Sequence, residues 1–320
     1  MSTQISLKAE VPEHLSGNRL DQIAAKLFPE YSRSKLQHWI KEGCLRVNDR
    51  QLRPRDRLLC GDVLAVETEL SISNEWQPQD IPLDIVFEDD HLLVVDKPAG
   101  LVVHPGAGNW DGTLLNGLLQ HCPALSELPR AGIVHRLDKD TSGLMVVAKS
   151  LQSHTDLVRQ LQGREVSREY EAVVQGVLTG GGSIDAPLGR HPVSRKKRAV
   201  VESGRQAITH YRVITRFRSH THIRVKLETG RTHQIRVHMA HIKHPLLGDP
   251  VYGGRLQLPA ACSTALADSL KNFRRQALHA CRLELSHPVS LETLAWQSAR
   301  PEDMELLLGK LSQDCKPEPA

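Results

Sequence analysis

The strongest constraint on the fold is a dense polar loop between two apolar segments. Ile133 and Val134 precede the loop, residues 135–143 form it, and Leu144 to Ala148 follow as five apolar residues in succession. An unbroken apolar run of this length is typical of a buried strand. The loop is therefore held at both ends by segments that belong in a core, and loops positioned by a rigid scaffold often carry binding or catalytic residues.

The loop carries charges of both signs. Asp138 and Asp140 supply carboxylates, and Arg136 and Lys139 supply cations. Residues 140–143 are also ordinary turn formers, so the residue types and their spacing alone favour a polar turn without a chemical role.

The order of the residues in this loop resembles the signature of the RluA-type pseudouridine synthases. His135 to Asp138 read His-Arg-Leu-Asp, and Lys-Asp-Thr-Ser-Gly-Leu follows. Further motifs recur in the family's order at Lys97-Pro98, at Arg168 to Tyr170 and at Arg231 to Arg236. The resemblance covers the chain from about Asn18 to the C-terminal helix.

This resemblance implies roles for individual residues. Asp138 would be the catalytic carboxylate, the ring of Tyr170 would pack against the target base, and Arg231 would be the third active-site residue. Arg231 is expected to pair with Asp138, which keeps the carboxylate ionised and oriented. A base must leave the stack to be reached, and Arg136 is the family's candidate to fill the vacated space. Whether Asp138 attacks the sugar or abstracts a proton stays open.

The implied reaction is isomerisation of specific uridines of 23S ribosomal RNA, in the helix 69 loop, to pseudouridine during large-subunit maturation. The uracil is detached from its ribose, rotated and rejoined through carbon. The partner would be 23S ribosomal RNA or the pre-50S particle, and the family requires neither cofactor nor metal. The sequence also lacks a GxGxxG fingerprint, a Walker loop and a serine-elbow motif, which argues against a nucleotide cofactor.

Four histidines near the last motif raise the question of a metal site. They are His233, His238, His241 and His244, in a chain with 17 histidines. Their spacing is not His-Glu-x-x-His, and no carboxylate nearby in the sequence completes a ligand set. No metal site is therefore expected.

Basic charge is concentrated around the signature. From Arg130 to Ala240 there are 20 Lys and Arg against 9 Asp and Glu, a net of +11, whereas the whole chain carries only +4. Such a concentration favours a polyanionic partner, usually nucleic acid. The best candidates for contacts with the RNA backbone are Arg190, Arg195, Lys196, Lys197 and Arg198. His135, Arg136 and Arg236 complete the RNA-binding residues expected in this segment.

The N-terminal segment contains four short motifs: Arg19-Leu20-Asp21, Tyr31-Ser32-Arg33-Ser34, Gly43 with Val47-Asn48, and Gly61-Asp62. In these motifs it resembles the alpha-L RNA-binding domain of a small-subunit ribosomal protein. An apolar stripe from Leu20 to Leu27 predicts one helix, and Ser32 is expected to cap a second. Arg33, Lys35 and Arg46 are the expected phosphate contacts, which give affinity and register rather than sequence choice. An ordinary helical hairpin with a solvated face is the alternative.

Later patterns predict strands and a helix around the last motif. Ile223, Val225 and Leu227 alternate with charged residues, which predicts a half-buried strand with a basic outer face. Thr232 is expected to cap the helix that follows Gly230.

The predicted fold class is α+β: a mixed, largely antiparallel sheet with flanking helices and a central active-site cleft (the pseudouridine synthase fold), preceded by a small α/β RNA-binding domain. Many strand-like segments without regular βα alternation agree with it. The expected division of the chain is residues 1–75 as the alpha-L type domain, 76–82 as a linker, 83–313 as the catalytic domain and 314–320 as a disordered tail.

Composition bears on the compartment. No apolar run approaches the roughly 20 residues that span a bilayer, and residues 1–10 lack the basic-then-apolar pattern of a signal peptide. The six cysteines include no Cys-x-x-Cys pair, which suits a reducing cytoplasm. We therefore expect a cytoplasmic protein without a membrane partner, and we take the chain to be a monomer.

Two other classes of function remain open. A non-catalytic RNA-binding or ribosome-assembly factor would need the basic face but not an ionised Asp138. The intact set of Asp138, Tyr170 and Arg231 speaks against that alternative. A histidine–metal hydrolase would instead lose its activity to chelators.

Overall fold

The computed structural model describes residues 3–29, 31, 33–70, 76–106, 108–194 and 197–314. The chain divides into two compact units, Met1–Glu75 and Trp76–Ala320. No helix among the described residues is long and apolar enough to cross a membrane.

The first unit packs two helices on a small antiparallel sheet. Its elements are β1 (Thr3–Glu10), α1 (Leu20–Leu27), α2 (Arg33–Glu42), β2 (Leu45–Val47) and β3 (Val63–Leu70). The sheet order is β1-β3-β2. The predicted apolar stripe is buried at Leu20, Ile23 and Ala24 and packs against Leu36 and Ile40 of α2 in one hydrophobic core, which confirms both predicted helices.

The second unit contains the remaining strands and helices. Its strands are β4 (Asp84–Glu88), β5 (Leu92–Lys97), β6 (Ser142–Ala148), β7 (Ser167–Gln175), β8 (Gly182–Asp185), β9 (Leu188–Arg190), β10 (Arg198–Val200), β11 (Ile208–Arg216), β12 (His220–Leu227), β13 (Leu278–Ser286) and β14 (Thr293–Gln297). Its helices are α3 (Leu114–His121), α4 (Leu151–Gln162), α5 (Gln234–His241), α6 (Thr264–Asn272) and α7 (Glu302–Asp314).

Most of these strands form one mixed sheet. In the described part of the chain it has nine strands in the order β4-β5-β6-β13-β7-β12-β11-β8, with β14 paired to β13. The β6–β13 pair is parallel, and the other pairings described for this sheet are antiparallel. The predicted α+β class with a largely antiparallel sheet is confirmed.

The apolar run after the polar loop becomes a central strand. β6 lies between β5 and β13 and is buried at every position. A strand covered on both faces needs apolar side chains throughout, which is the pattern seen in the sequence. On β12, by contrast, Ile223 and Val225 are buried while Arg224 and Lys226 are exposed, which confirms the predicted half-buried strand.

A glycine fixes where β6 meets its parallel neighbour. Gly143 has a φ of +114°, and a Cβ built on it would lie 2.3 Å from the carbonyl oxygen of Ala280 on β13. Only a residue without a side chain fits this approach. The end of the polar loop is thereby placed directly beside the start of β13.

The segment predicted as a linker is part of the second unit. The Asn116 side chain on α3 donates to the Gln77 carbonyl (2.8 Å), and the Gln79 side chain accepts from the Gly112 amide (2.7 Å). Trp76 packs against the core of the unit. Residues 76–82 are therefore anchored to the second unit, because their polar groups and one large aromatic ring find partners there.

Two further predictions about element ends are wrong. Helix α5 begins at Gln234, with His233 in the left-handed conformation (φ 58°) as its preceding residue, so Thr232 is not its cap. Asp314 is the last residue of α7 and pairs with Arg218 at 3.1 Å, so the predicted disordered tail does not include it. Residues 315–320 lie outside the described residues.

Candidate active site

A cleft of about 530 Å³ opens in the second unit where the polar loop, β7 and the start of α5 meet. Asp138, Tyr170 and Arg231, the three residues expected to be catalytic, all line it. The sheet topology brings these three residues together. The polar loop leads into β6, only β13 separates β6 from β7, and α5 follows β12, which is the other neighbour of β7.

The loop that carries Asp138 is fixed by hydrogen bonds on both sides of the carboxylate. The Thr141 amide donates to the Asp138 carbonyl at 3.1 Å, and the Val146 amide on β6 donates to Nε2 of His135 at 3.1 Å. Burial and the Arg168 guanidinium lower the pKa of His135 to about 3, so the ring is neutral and accepts this hydrogen bond. His135 was expected to bind RNA, but its Nε2 is used to hold the loop.

A buried lysine ties this loop to the preceding family motif. Lys97 is fully buried, and its ammonium donates to the carbonyl oxygens of Pro98 (2.7 Å), Leu101 (3.0 Å) and Lys139 (3.0 Å). Burial lowers the pKa of Lys97 to about 8, against the opposing effect of the nearby loop carboxylates. The residue after Asp138 is thus pinned to the loop that follows β5.

The arginine that pairs with Asp138 is Arg236 and not Arg231. Nη1 of Arg236 lies 2.9 Å from Oδ2 of Asp138, whereas Nε of Arg231 donates to the Gln206 carbonyl at 3.2 Å. The expected Arg231–Asp138 ion pair is therefore wrong. Arg231 precedes α5 and is exposed, while Arg236 lies in the part of α5 where residues 234–239 are all buried, and its side chain reaches the carboxylate.

Arg236 is itself oriented by a second carboxylate. Its Nε and Nη2 donate to the two oxygens of Asp249 at 2.7 and 2.9 Å, and both side chains are buried. Burial raises the pKa of Asp249, whereas the hydrogen bonds from Arg236 and from the amides of Val251 and Tyr252 lower it. The hydrogen bonds outweigh burial, so the pKa lies below its usual value. This bidentate pair fixes the plane of the guanidinium.

A tyrosine and a histidine complete the surroundings of Asp138. The Tyr252 ring lies 5.1 Å from the Arg236 guanidinium carbon. Its hydroxyl accepts from the Arg198 amide (2.8 Å) and bonds to Nδ1 of His233 (2.9 Å). Burial lowers the pKa of His233, although Asp138 opposes the shift. A neutral His233 that accepts at Nδ1 carries its hydrogen on Nε2, which lies 3.8 Å from Oδ1 of Asp138.

Tyr170 lies on β7 and exposes 6% of its surface. Burial raises the pKa of its phenol, so the hydroxyl is protonated at neutral pH. Its hydroxyl makes no hydrogen bond with any residue that the structure describes. The ring is therefore held by packing and lines the cleft beside Asp138.

The cleft is strongly basic. Among the described residues its lining includes six arginines but only the carboxylates of Asp138 and Glu228. The arginines are Arg130, Arg136, Arg164, Arg168, Arg231 and Arg236. Nη1 of Arg136, which is exposed, lies 3.3 Å from Nε2 of His104. A pocket with this excess of positive charge attracts a polyanion.

The other residues expected to bind RNA divide into three sets. The side chains of Arg33 and Lys35, together with Arg195 and Lys196, lie outside what the structure describes. Arg46, in the first unit, is exposed and donates to the Gly43 carbonyl. Arg190, Lys197 and Arg198 belong to the β9–β10 hairpin, where Arg190 and Arg198 lie opposite each other in the antiparallel strand register. Their RNA contacts stay predictions.

The sequence analysis did not identify Asp249, His233 and Tyr252 as site residues. One signal was present: Arg236 sits between Ile235 and Val237 in a helix, and a buried arginine requires an anionic partner. Which carboxylate supplies that partner depends on the turn after α5, which the sequence alone does not place. No group of three His, Cys, Asp or Glu side chains suited to a metal occurs among the described residues.

Comparisons with known proteins show which families the two units match. The family model described as RNA pseudouridylate synthase matches residues 91–241, and the S4 domain model matches residues 18–64. The chain is 62% identical to ribosomal large subunit pseudouridine synthase D of Pseudomonas aeruginosa, over 98% of each chain. It is 51% identical to the Escherichia coli K12 protein of the same name, over 98% of this chain and 97% of that one.

One solved structure extends the comparison to the fold. The human RNA pseudouridylate synthase domain containing 4 protein has a TM-score of 0.55 and 26% identity, and the match covers 72% of this chain and 93% of that one. Together with the near full-length relatives, it shows that the chain belongs to the RNA pseudouridylate synthase family.

Proposed function

We propose that the chain isomerises uridine to pseudouridine in large-subunit ribosomal RNA, with Asp138 as the catalytic carboxylate. One observation carries the chemistry: Asp138 is held by Arg236 in a basic cleft, next to the Tyr170 ring. The substrate class follows from the names of the relatives that match nearly the whole chain. The helix 69 loop of 23S ribosomal RNA is the proposed target.

The cleft suits a single flipped nucleotide. Its volume of about 530 Å³ lies within the range of small-molecule sites, and the target uridine must leave its stack to enter. Arg136 is exposed and lines the cleft, which supports its proposed role of filling the vacated space. The flat ring of Tyr170 offers a surface for the uracil.

The two oxygens of Asp138 have different surroundings. Oδ2 accepts from Arg236 at 2.9 Å, whereas Oδ1 accepts no hydrogen bond from the described residues and lies 3.8 Å from Nε2 of His233. Oδ1 is therefore the oxygen available for chemistry, either as a nucleophile at the sugar carbon C1′ or as a base that takes a proton. In both cases Arg236 fixes its direction, and preorganised charge of this kind is a main source of catalysis.

The test is pseudouridine mapping on ribosomal RNA from cells that lack this protein, complemented with the wild type or Asp138→Asn. The amide keeps the shape of the side chain but is neither nucleophile nor base. We expect only the wild type to restore the missing pseudouridines, while purified Asp138→Asn binds RNA nearly as tightly. Restoration by both proteins would refute the role of Asp138. If no site depended on the protein, a non-catalytic RNA-binding factor would become the better description.

A further inference from the structure

The six arginines of the cleft fall into two groups by burial. Arg130, Arg136, Arg164 and Arg231 are exposed, whereas Arg168 and Arg236 are buried. The two buried arginines differ in their partners. Arg236 binds the carboxylates of Asp138 and Asp249, whereas the Arg168 side chain forms no ion pair with a carboxylate that the structure describes.

Arg168 carries a buried charge whose side chain has no partner among the described residues. It exposes 7% of its surface, and its Nε is buried with no hydrogen-bond acceptor. The Arg168 side chain makes no hydrogen bond or ion pair with any residue in the described part of the chain. Burying an uncompensated guanidinium is costly, so an acceptor from outside the protein is expected.

The position of Arg168 shows where that acceptor must lie. Arg168 and Tyr170 are two residues apart on β7, so their side chains project from the same face of the sheet, and both line the cleft with Asp138. The guanidinium reaches toward Gly230, where a Cβ would lie 2.6 Å from Nη1. The charge is thus buried within the cleft, beside the ring proposed to carry the base.

The proposed reaction creates an anion at this place. When the bond from C1′ to N1 breaks, its electron pair stays on the uracil and is delocalised onto the carbonyl oxygens O2 and O4. C1′ either forms a bond to Asp138, which breaks again when C1′ is rejoined to the base, or C2′ gives a proton to Asp138 and receives it back at that step. Later C1′ bonds to C5, the C5 proton leaves, and N1 gains a proton, so the product is an isomer.

We propose that Arg168 donates to a carbonyl oxygen of the target uracil and stabilises the negative charge on the detached base. This inference rests on the proposed function and adds a catalytic residue to it. A phosphate is the other anionic oxygen that a nucleotide offers. The four exposed arginines suit phosphates at the cleft mouth, whereas the burial of Arg168 favours the base.

The test uses Arg168→Met, which keeps the packing of the stem, and Arg168→Lys, which keeps the charge. Arg282→Met is the matched control, because the Nε of Arg282 is also buried without an acceptor but the residue pairs with Glu284 and does not line the cleft. Single-turnover pseudouridine formation at saturating RNA, RNA affinity and the melting temperature are measured for each variant.

We expect Arg168→Met to lower the single-turnover rate by about 10²- to 10³-fold, and Arg168→Lys to recover part of it. RNA affinity should change far less than the rate. The melting temperature of Arg168→Met should not fall, because removal of an unpaired buried charge relieves a cost. Arg282→Met should keep the wild-type rate. A wild-type rate in Arg168→Met, or a rate loss explained by a lower melting temperature, would overturn the inference.

Atomic substitution in the RNA identifies the oxygen. Sulfur is a weaker acceptor, so 2-thiouridine or 4-thiouridine at the target should slow the wild type but not slow Arg168→Met further. A methylphosphonate at the target phosphate should slow both proteins equally. If instead the thio-substituted bases slowed both proteins equally and the methylphosphonate slowed only the wild type, Arg168 would be assigned to a phosphate and not to the base. A wild-type protein without product would refute the proposed function itself, which separates that failure from failure of this inference alone.

Discussion

Asp138 is oriented by a guanidinium that a second carboxylate holds in place. Asp249 binds Arg236 through both oxygens, and Arg236 then offers its remaining amino group to Asp138. Each link is a charge-assisted hydrogen bond in a partly or fully buried setting, where such bonds are strong. Arg231, although part of the same motif, is exposed and bonds to a backbone carbonyl.

This difference between the two arginines can be measured. Arg236→Gln should lower the rate of pseudouridine formation at saturating RNA by about 10²-fold or more, because Asp138 loses the charge that orients it. Arg231→Gln should cost less than about tenfold in the same assay, since it removes no contact with the carboxylate. Equal losses in the two variants would contradict the role given to Arg236.

At the scale of elements, the active-site loop depends on the parallel contact of β6 with β13. Gly143→Ala places a Cβ against the Ala280 backbone at a left-handed φ, and should cost about 3 kcal/mol or more of unfolding free energy. Gly180→Ala is the control, because no atom lies within 4 Å of its added Cβ. Urea unfolding compares the two, and a small loss for Gly143→Ala would show that the strands can separate without cost.

Lys97 links two loops, and its burial predicts a pH dependence. Its pKa is lowered from 10.5 to about 8 in the folded chain, so between these values the unfolded chain binds more protons. Stability should therefore rise with pH through this window, by on the order of 3 kcal/mol from this group. The free-energy cost of burying the protonated Lys97 ammonium is fully present below about pH 8.

The measurement is urea unfolding of the wild type and Lys97→Met across about pH 7 to 10. Lys97→Met should be less stable, because three carbonyl oxygens lose their donor. The difference between the two proteins should widen as the pH rises. A constant difference would mean that Lys97 keeps its proton throughout the range.

At the scale of the whole molecule, each unit has its own hydrophobic core. The core of the first unit consists of residues from Ile5 to Val66, and the core around Tyr170 draws only on the second unit. The complete cleft lining also comes from the second unit. We therefore propose that the second unit carries out the chemistry and that the S4-matching unit contributes to RNA binding.

Deleting residues 1–75 should reduce affinity for ribosomal RNA by about tenfold or more and flatten its salt dependence, because phosphate contacts are lost. The single-turnover rate at saturating RNA should change little. Salt titrations of binding and rate measurements on the truncated chain make this comparison. Full modification of ribosomal RNA at wild-type affinity would refute a targeting role for the first unit.

The sequence by itself determined the local features. The apolar run at Leu144 to Ala148 required a buried strand, the alternation on β12 required a half-buried one, and the order of the motifs indicated the family. These conclusions hold because side-chain periodicity and motif order are properties of neighbouring residues. The position of Asp138 on a loop before β6 followed from the same pattern.

Only the tertiary structure decided which side chains meet. Asp138, Arg236 and Asp249 come from three separate parts of the chain, and their contacts depend on how β13 lies between β6 and β7 and on how α5 turns. From the sequence alone, Arg231 and Arg236 are equally plausible partners of Asp138, because their spacing does not show which of them is buried. Burial distinguishes them, because a buried arginine requires an anionic partner. The lack of a partner for the Arg168 side chain among the described residues is visible only after the acceptors around it have been placed.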